Sequence, residues 1–527
     1  MLPVSGLFLR EGKNYKNFLV NGEEMNFHRS YKLKNRISCN VENLICLFVM
    51  SIGAFLFLQK SPLHPWLGAN AGTDSSVFKT VALMMERGYM PYRDSFDHKG
   101  PLLFIINFLG NKISSYRGIW VFELLFMVIT IFILYKIARM SCKIVTSYLS
   151  VFLSISLLFI YFDGGNLTEE YAMLFISVSL YIFIDYLKNH RISRLRLALC
   201  GLCLGGVLLL RPNMISVWFI FLIAVLIQLL REEKYHKILE FSTWFILGMA
   251  VILVPIILWL FFNDSLSWCW KAYIEFNKQY ISSENGRITY VEKWNSFFFF
   301  FNTTVYLISF SVQAYLCGIK KRKIDFIYMI YLLITSLFLC LSGMKYGHYG
   351  MVLIPAVVYP LSQLFAELEN IEIKQISDAF IFIVGIYMLS FIILPDWITL
   401  IDSSASRYAK KDEDKISDEV RTISTLIKDN SLENEAISVY GNWNIIYIIS
   451  NRIHATRYSY QFPIGTIMPE IMDEYFDELQ EEQPKIIVIA PKRYNERIKE
   501  FLDFNQYDLL WNQNESTFDE ALVYMKK

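Results

Sequence analysis

Charge is what this chain has least of. Of its 527 residues only 19% are charged against 54% hydrophobic, and the mean hydropathy is +0.35. A single soluble globule of this size needs more polar surface than that, so the composition specifies a polytopic α-helical membrane protein. The charge that is present balances, 50 Lys and Arg against 49 Asp and Glu. Phosphate-backbone binding needs a clustered basic excess, so no nucleic-acid partner is expected. Cysteine shows no framework either. Its eight copies, Cys39, Cys46, Cys142, Cys200, Cys203, Cys269, Cys317 and Cys340, lie mostly in or beside apolar stretches, a spacing that does not indicate a set of disulfides. Cys200 and Cys203 form a CxxC, but Leu202, Leu204 and Val207 around them specify a lipid-buried helix packed through small residues rather than a redox or metal pair. The sequence carries no GxxxxGK[ST], no dinucleotide glycine pattern after a strand and no His/Cys set at metal spacing, which argues against a nucleotide-driven pump. No cofactor is expected, with a divalent cation left open. Repeats of solenoid period and low-complexity tracts are absent as well.

What the chain does have is a succession of apolar runs. About 20 apolar residues cross a bilayer, with roughly 17 to 25 tolerated. Eleven runs qualify, near residues 42–59, 117–138, 144–162, 169–187, 195–210, 213–230, 240–262, 294–317, 325–342, 350–366 and 377–394. The first starts late and lacks a small-residue cleavage site, so it is expected to be retained as a span. Basic residues then orient the bundle. Arg29, Lys32, Lys34 and Arg36 precede the first run, and Lys136, Arg139 and Lys143, Lys188, Arg191, Arg194 and Arg196, Arg231, Lys234 and Lys237, and Lys320 to Lys323 fill alternate short loops. The positive-inside rule makes that side cytoplasmic. This places a cytoplasmic N-terminal segment at 1–41 and a membrane domain at 42–395. Outer loops follow at 60–116, 163–168, 263–293 and 343–349. The expected location is the plasma membrane, multi-pass.

From about Asp396 the character changes. Amphipathic helix patterns over 416–427, 469–479 and 495–502 alternate with short apolar runs at 436–440 and 485–490 that read as buried strands. Residues 396–527 are therefore expected to form an extracytoplasmic α/β domain. Its Trp443, Arg457, Tyr458 and Tyr460 suit an acceptor grip or a folded cover over the membrane domain equally well.

Polar residues at a membrane boundary are where chemistry is to be sought, because an ionised side chain there is costly to keep. Asp74 opens an apolar stripe of Val77, Val81, Met84 and Met85 that stops at Gly88 and Pro91, the pattern of a short helix lying on the membrane. It serves as a helix cap or as a general base on this stretch alone. Arg93, Asp94, Asp97, His98 and Lys99 crowd ahead of Pro101, either as a self-paired loop or as a cradle for a phosphate or diphosphate headgroup. Asp163-Gly164-Gly165-Asn166-Leu167-Thr168-Glu169-Glu170 sits on the same side, and two adjacent carboxylates exceed what one helix cap requires. Arg211 precedes the break at Pro212, and is either a snorkelling cation or a phosphate ligand. Lys345-Tyr346-Gly347-His348-Tyr349 places a cation and a proton donor at another outer turn. Trp268, Trp270, Tyr273, Phe276 and Tyr280 form an interfacial belt or, alternatively, a lipid or sugar platform. Three glycosylation triplets, at Asn166, Asn302 and Asn514, are short enough to arise by chance.

Taken in order and by side, these motifs resemble the bacterial GT-C glycosyltransferases, in the branch holding protein O-mannosyltransferase-like and lipid A aminoarabinose-transferase-like enzymes. The residues that carry the resemblance are Asp74 ahead of Gly88-Tyr89-Met90-Pro91-Tyr92, Asp97-His98-Lys99-Gly100-Pro101, the outer Gly-Gly-Asn-Leu-Thr-Glu-Glu, Arg211-Pro212, and Lys345 to Tyr349 with Pro355 following. It covers the membrane part and is strongest over about residues 70 to 110. The resemblance implies a GT-C-like fold of about 11 transmembrane helices and an outward-facing site. It implies a polyprenyl-phosphate sugar donor and a glycan, lipid or protein acceptor on the cell surface. On that pattern Asp74 engages the acceptor hydroxyl and Lys99 the donor phosphate. Ser75 stands where the family often has a second acid, which leaves that role to Asp97 or to Glu169 and Glu170. Arg93, Arg211, Lys345 and His348 complete the candidate phosphate ligands, and Asp163, Asn166 and Tyr349 the candidates for acceptor or sugar. A lipid-sugar flippase or a polysaccharide ligase or polymerase is the competing reading. Paired inverted repeats with ionisable groups at the midplane mark transporters, whereas here the ionisable residues gather in outer loops.

Overall fold

The structure, a computed structural model, describes residues 41–58, 61, 73–114, 118–282, 290–342, 345–370, 394–410, 417–512 and 520–527. The expected N-terminal segment before residue 41, most of the run near 377–394 and the Asn514 triplet lie outside the described residues. The chain groups into two units, Met1–Gly53 and Ala54–Lys527; the first is described only as the opening of the helix Val41–Leu58.

Among the described residues, six helices are long and apolar enough to cross a bilayer: Val41–Leu58, Ile119–Ala138, Ile144–Tyr161, Thr168–Asn189, Tyr235–Phe262 and Gly347–Glu369. A seventh crossing arises if the helices Tyr290–Phe301 and Thr304–Lys320, bent by 82° at their junction, act as one. Three more of the eleven expected runs are helices too short for that count: Arg194–Leu208, Ser216–Arg231 and Lys323–Leu339. Pro212 is the cause for the first two. It cannot donate to the helical ladder, and it starts a one-turn 3-10 helix at Pro212–Met214 that separates them. The helices Arg194–Leu208 and Tyr235–Phe262 meet at backbone contact. A Cβ on Gly201 would stand 1.9 Å from the Phe245 carbonyl oxygen, and one on Gly248 1.8 Å from that of Ala198. Cys200 and Cys203 are buried beside this crossing, in keeping with small-residue packing between membrane helices.

Residues 417–527 build a four-stranded sheet from β1 (Ser438–Tyr440), β2 (Ile486–Ile489), β3 (Tyr507–Asn512) and β4 (Leu522–Lys526), in the order β1-β2-β4-β3. β1 and β2 run parallel and the other pairs antiparallel. The helix Asp418–Asn430 starts where the Ser417 side chain accepts from the Val420 amide. Its Val420, Ile423 and Ile427, at helical spacing, pack with Val439, Ile486, Val488 and Val523 into the core. The helix Ile445–Ser450 then lies against the helix Thr73–Glu86. That contact corrects the picture of a helix resting on the membrane surface. Val77, Phe78, Lys79, Thr80, Val81 and Ala82 are all buried, because the helix is held between Pro101–Ile113 and the C-terminal domain.

The basic turns gather at one end of the bundle, where the Lys188 ammonium donates to the Ser141 hydroxyl at 2.9 Å and Arg194 pairs with Glu240 at 2.7 Å. The sheet domain packs at the other end, on the loop 91–98.

Candidate active site

A cavity of about 680 Å³ opens at the end that carries the sheet domain. Its walls come from the start of the helix Thr73–Glu86, the loop 97–99, the turns 163–167, 210–213 and 346–349, the segment 273–280, and Asn442, Tyr460, Ile464 and Ile467 of the C-terminal domain.

The loop 97–99 is fixed by a close backbone approach. The Gly100 amide donates to the Leu210 carbonyl at 3.2 Å and the Leu102 amide to the Leu209 carbonyl at 3.1 Å. A Cβ at residue 100 would stand 2.0 Å from the Leu209 oxygen, so only glycine lets the strands of chain touch. Pro101, with no amide hydrogen, then starts the helix Pro101–Ile113 at a position where none is needed. This arrangement brings Lys99 and Arg211, far apart in sequence, to adjoining walls of one cavity.

Asp97 is buried and held at both oxygens. The Lys99 amide donates to Oδ1 at 2.8 Å and the Tyr460 hydroxyl to Oδ2 at 3.0 Å. Burial pushes its carboxyl up to about 6, against the pull of the Lys99 ammonium and of the two donors, and the Asp74 charge adds to the rise. Burial and the Lys99 and Arg211 charges hold His98 well below the ordinary imidazole range, so it is neutral near pH 7. Asp74, by contrast, lies exposed to the cavity, with no hydrogen bond or ion pair to its carboxylate among the described residues.

Arg211 pairs with Glu169 and stacks on the Tyr349 ring, 3.9 Å from its centroid. Burial opposes its charge, but Tyr349 and Glu169 more than offset this and raise its proton affinity. His348 Nδ1 faces Asp163 Oδ2 at 3.6 Å, and Tyr346 stacks parallel on the His348 ring.

Of the residues expected from sequence, Asp74, Asp97, Lys99, Asp163, Arg211, His348 and Tyr349 line the cavity. The others stand elsewhere. Arg93 forks onto its neighbour Asp94 and donates to the Asn263 carbonyl at 2.9 Å. Lys345 is exposed outside the lining. Glu169 is the counter-ion of Arg211 rather than a wall. Glu170 accepts the Asn166 amide at 2.8 Å below the cavity floor. Asn166 is buried there too, bonded to Ser75 and Asn107 at 2.9 and 2.8 Å. Its backbone is left-handed, which Asn tolerates. Glu123, overlooked in the sequence, lies close against Gly165 of this turn and accepts from the Ser61 hydroxyl at 3.0 Å. An acid inside the apolar run 117–138 was the signal that marked it. The aromatic segment is divided. Trp270 is exposed, whereas Phe276 packs on His98, and Asn277 donates to the His98 carbonyl at 2.8 Å.

The sequence model of the dolichyl-phosphate-mannose-protein mannosyltransferase family matches residues 98–262. That stretch holds Lys99, Glu169 and Arg211. No curated protein matches the chain. Among solved structures, ArnT from Cupriavidus metallidurans bound to undecaprenyl phosphate superposes with a TM-score of 0.59 at 12% identity, over 91% of this chain and 97% of that one. The same protein in its apo state gives 0.54 at 11%, over 90% and 97%. At such identities the likeness speaks for the backbone alone. The chain is a multi-pass helical membrane protein with the GT-C fold.

Proposed function

We propose that this chain is a glycosyltransferase that moves a sugar from a polyprenyl-phosphate carrier to a hydroxyl of an extracytoplasmic glycan, lipid or protein, with inversion. The observation that carries the reading is one cavity that holds a carboxylate, Asp74, unpaired among the described residues, together with the cations Lys99 and Arg211. Asp74 takes the proton of the acceptor hydroxyl as its oxygen bonds to the anomeric carbon. The bond from that carbon to the carrier phosphate breaks, and its electron pair leaves on the phosphate oxygen. Lys99 and Arg211 stabilise the departing charge, and Glu169 keeps the guanidinium in place. One displacement at the anomeric carbon inverts it.

Two supports come from outside the cavity. The ArnT structure of the same fold is bound to undecaprenyl phosphate, the chemistry that two cations at a membrane boundary suit. By the positive-inside rule the basic turns also support a reading with the cavity on the outer face of the plasma membrane and a cytoplasmic N-terminus.

The test is purified protein given a radiolabelled polyprenyl-phosphate sugar and a cell-surface extract as acceptor. Label covalently joined to the acceptor with inverted anomeric configuration supports the reading. Label that crosses a vesicle membrane still attached to its carrier makes the chain a flippase and sinks it.

A further inference from the structure

The C-terminal domain reaches into the catalytic loop through one short segment. His454 Nε2 lies 2.9 Å from the Ser95 hydroxyl, the Phe96 amide donates to the Arg457 carbonyl at 2.8 Å, and the Phe96 ring packs on Tyr458. Tyr460 follows, 363 positions from Asp97 in sequence, and its hydroxyl donates to Asp97 Oδ2. Tyr460 is in turn tied to the sheet. The side chain of Gln461 accepts from the Gly441 amide at 2.9 Å and donates to the Val439 carbonyl at 3.2 Å, next to and on β1. A continuous chain of bonds therefore runs from β1 through Gln461 and Tyr460 to Asp97, and from Asp97 Oδ1 to the Lys99 amide.

We propose that Tyr460 is a positioning residue for the transfer reaction: by holding Asp97 it fixes the turn that aims the Lys99 ammonium into the cavity, making the docked C-terminal domain a working part of the active site. The inference rests on the transferase reading above. The charged and titratable groups that face Asp97 are Lys99 and Tyr92 of its own loop, Asp74 of the helix Thr73–Glu86, and Tyr460, whose hydroxyl also lies 3.5 Å from His98 Nδ1. Burial and the carboxylates keep the Tyr460 phenol protonated far above neutral pH, so it acts as a donor. A donor to a carboxylate favours the ionised form, so its removal raises the pH at which Asp97 ionises.

The experiment compares the pH profile of kcat/KM for transfer in three full-length proteins: wild type, Tyr460→Phe and His454→Gln. His454→Gln loosens the same interface at Ser95 without touching Asp97. The expected result for Tyr460→Phe is an acid limb displaced upward by about one pH unit and a rate about tenfold lower at neutral pH. The limb of His454→Gln stays in place. Replacement of Tyr460 by 3-fluorotyrosine, the same shape with a more acidic phenol, moves the limb down and answers the question should the Phe variant fold poorly. An unmoved limb in Tyr460→Phe with a working wild type, or an equal displacement in His454→Gln, overturns the inference alone. A wild type that transfers no sugar overturns the transferase reading and this inference with it.

Discussion

The substitution Gly100→Ala tests how the fold builds the site, because it adds one methyl group and no charge. Its backbone, at φ −73 and ψ 153, is open to alanine, so any effect is steric. The new Cβ would meet the Leu209 oxygen at 2.0 Å, its carbonyl carbon at 2.5 Å and the Leu210 nitrogen at 2.9 Å, where real Cβ contacts lie beyond 3.0 Å. The neighbours are main chain and have no side-chain rotation with which to yield. The loop must then withdraw by about 1 Å. That stretches or breaks the hydrogen bonds from Gly100 and Leu102 to Leu210 and Leu209. Each such bond contributes about 1 kcal/mol net, and more if a buried donor is left unmet. We expect a loss of roughly 2–4 kcal/mol in stability. Lys99 and Arg211 sit on the two sides of this contact, and a misplacement of about 1 Å between catalytic groups costs on the order of 100-fold in rate. Thermal unfolding in detergent and kcat for sugar transfer measure the two effects. A variant that keeps the wild-type melting temperature and a rate within twofold would refute the reasoning.

Other expectations follow from the same contacts. Glu169→Gln leaves the Arg211 guanidinium without its carboxylate, so KM for the donor and kcat should both worsen, by about tenfold or more; the paired change Glu169→Gln with Arg211→Gln should then cost less than the sum of the two, as a double-mutant cycle reads. Gly165→Ala asks for a side chain at φ +85 and sets its Cβ 2.1 Å from Glu123 Oε1, so the cavity floor should loosen and the melting temperature fall by several degrees. Asp97 makes stability depend on pH. Its folded value of about 6 lies above the ordinary 3.8, so the folded chain holds this proton more tightly than the unfolded one. Its contribution is present below about pH 4 and is lost as pH rises to about 6, by at most roughly 3 kcal/mol. Asp97→Asn should accordingly gain in melting temperature over wild type across that window and hold the gain above it; a difference that stays flat with pH contradicts the assignment. With Lys99 and Arg211 in their proposed role as the positive charge at the departing phosphate, a chelator should leave the transfer rate unchanged.

Much of the fold was legible because the bilayer imposes a simple rule on sequence. Apolar runs such as 117–138 and 144–162 coincide with the helices Ile119–Ala138 and Ile144–Tyr161, since backbone groups in lipid have no partner outside their own helix. β1 and β2 were readable as continuous apolar runs, all of whose residues are buried. β3 and β4 were not. Tyr507–Asn512 is an edge strand in which the neighbours Asp508 and Leu509 are both exposed and the next three residues are all half-buried, so its pattern never alternates cleanly. At the site, Asp74, Lys99, Arg211 and His348 stood out as ionisable groups among apolar ones. Spacing said nothing of which cations are neutralised close by, and so gave no way to separate Arg93, satisfied by the next residue, from Lys99. Nor could it show that the segment 454–460 folds back onto residues 95–98, because such a contact depends on how the sheet domain docks rather than on any local pattern.

The proposed transfer depends above all on Asp74 as the group that takes the acceptor's proton. The direct measurement is a single-turnover transfer from a radiolabelled polyprenyl-phosphate sugar by wild type and Asp74→Asn, with donor binding followed in parallel. A general base contributes about 10²–10⁴-fold, so Asp74→Asn should bind donor as wild type does and transfer it at least about a hundredfold more slowly. Transfer by Asp74→Asn at the wild-type rate would contradict the assignment outright.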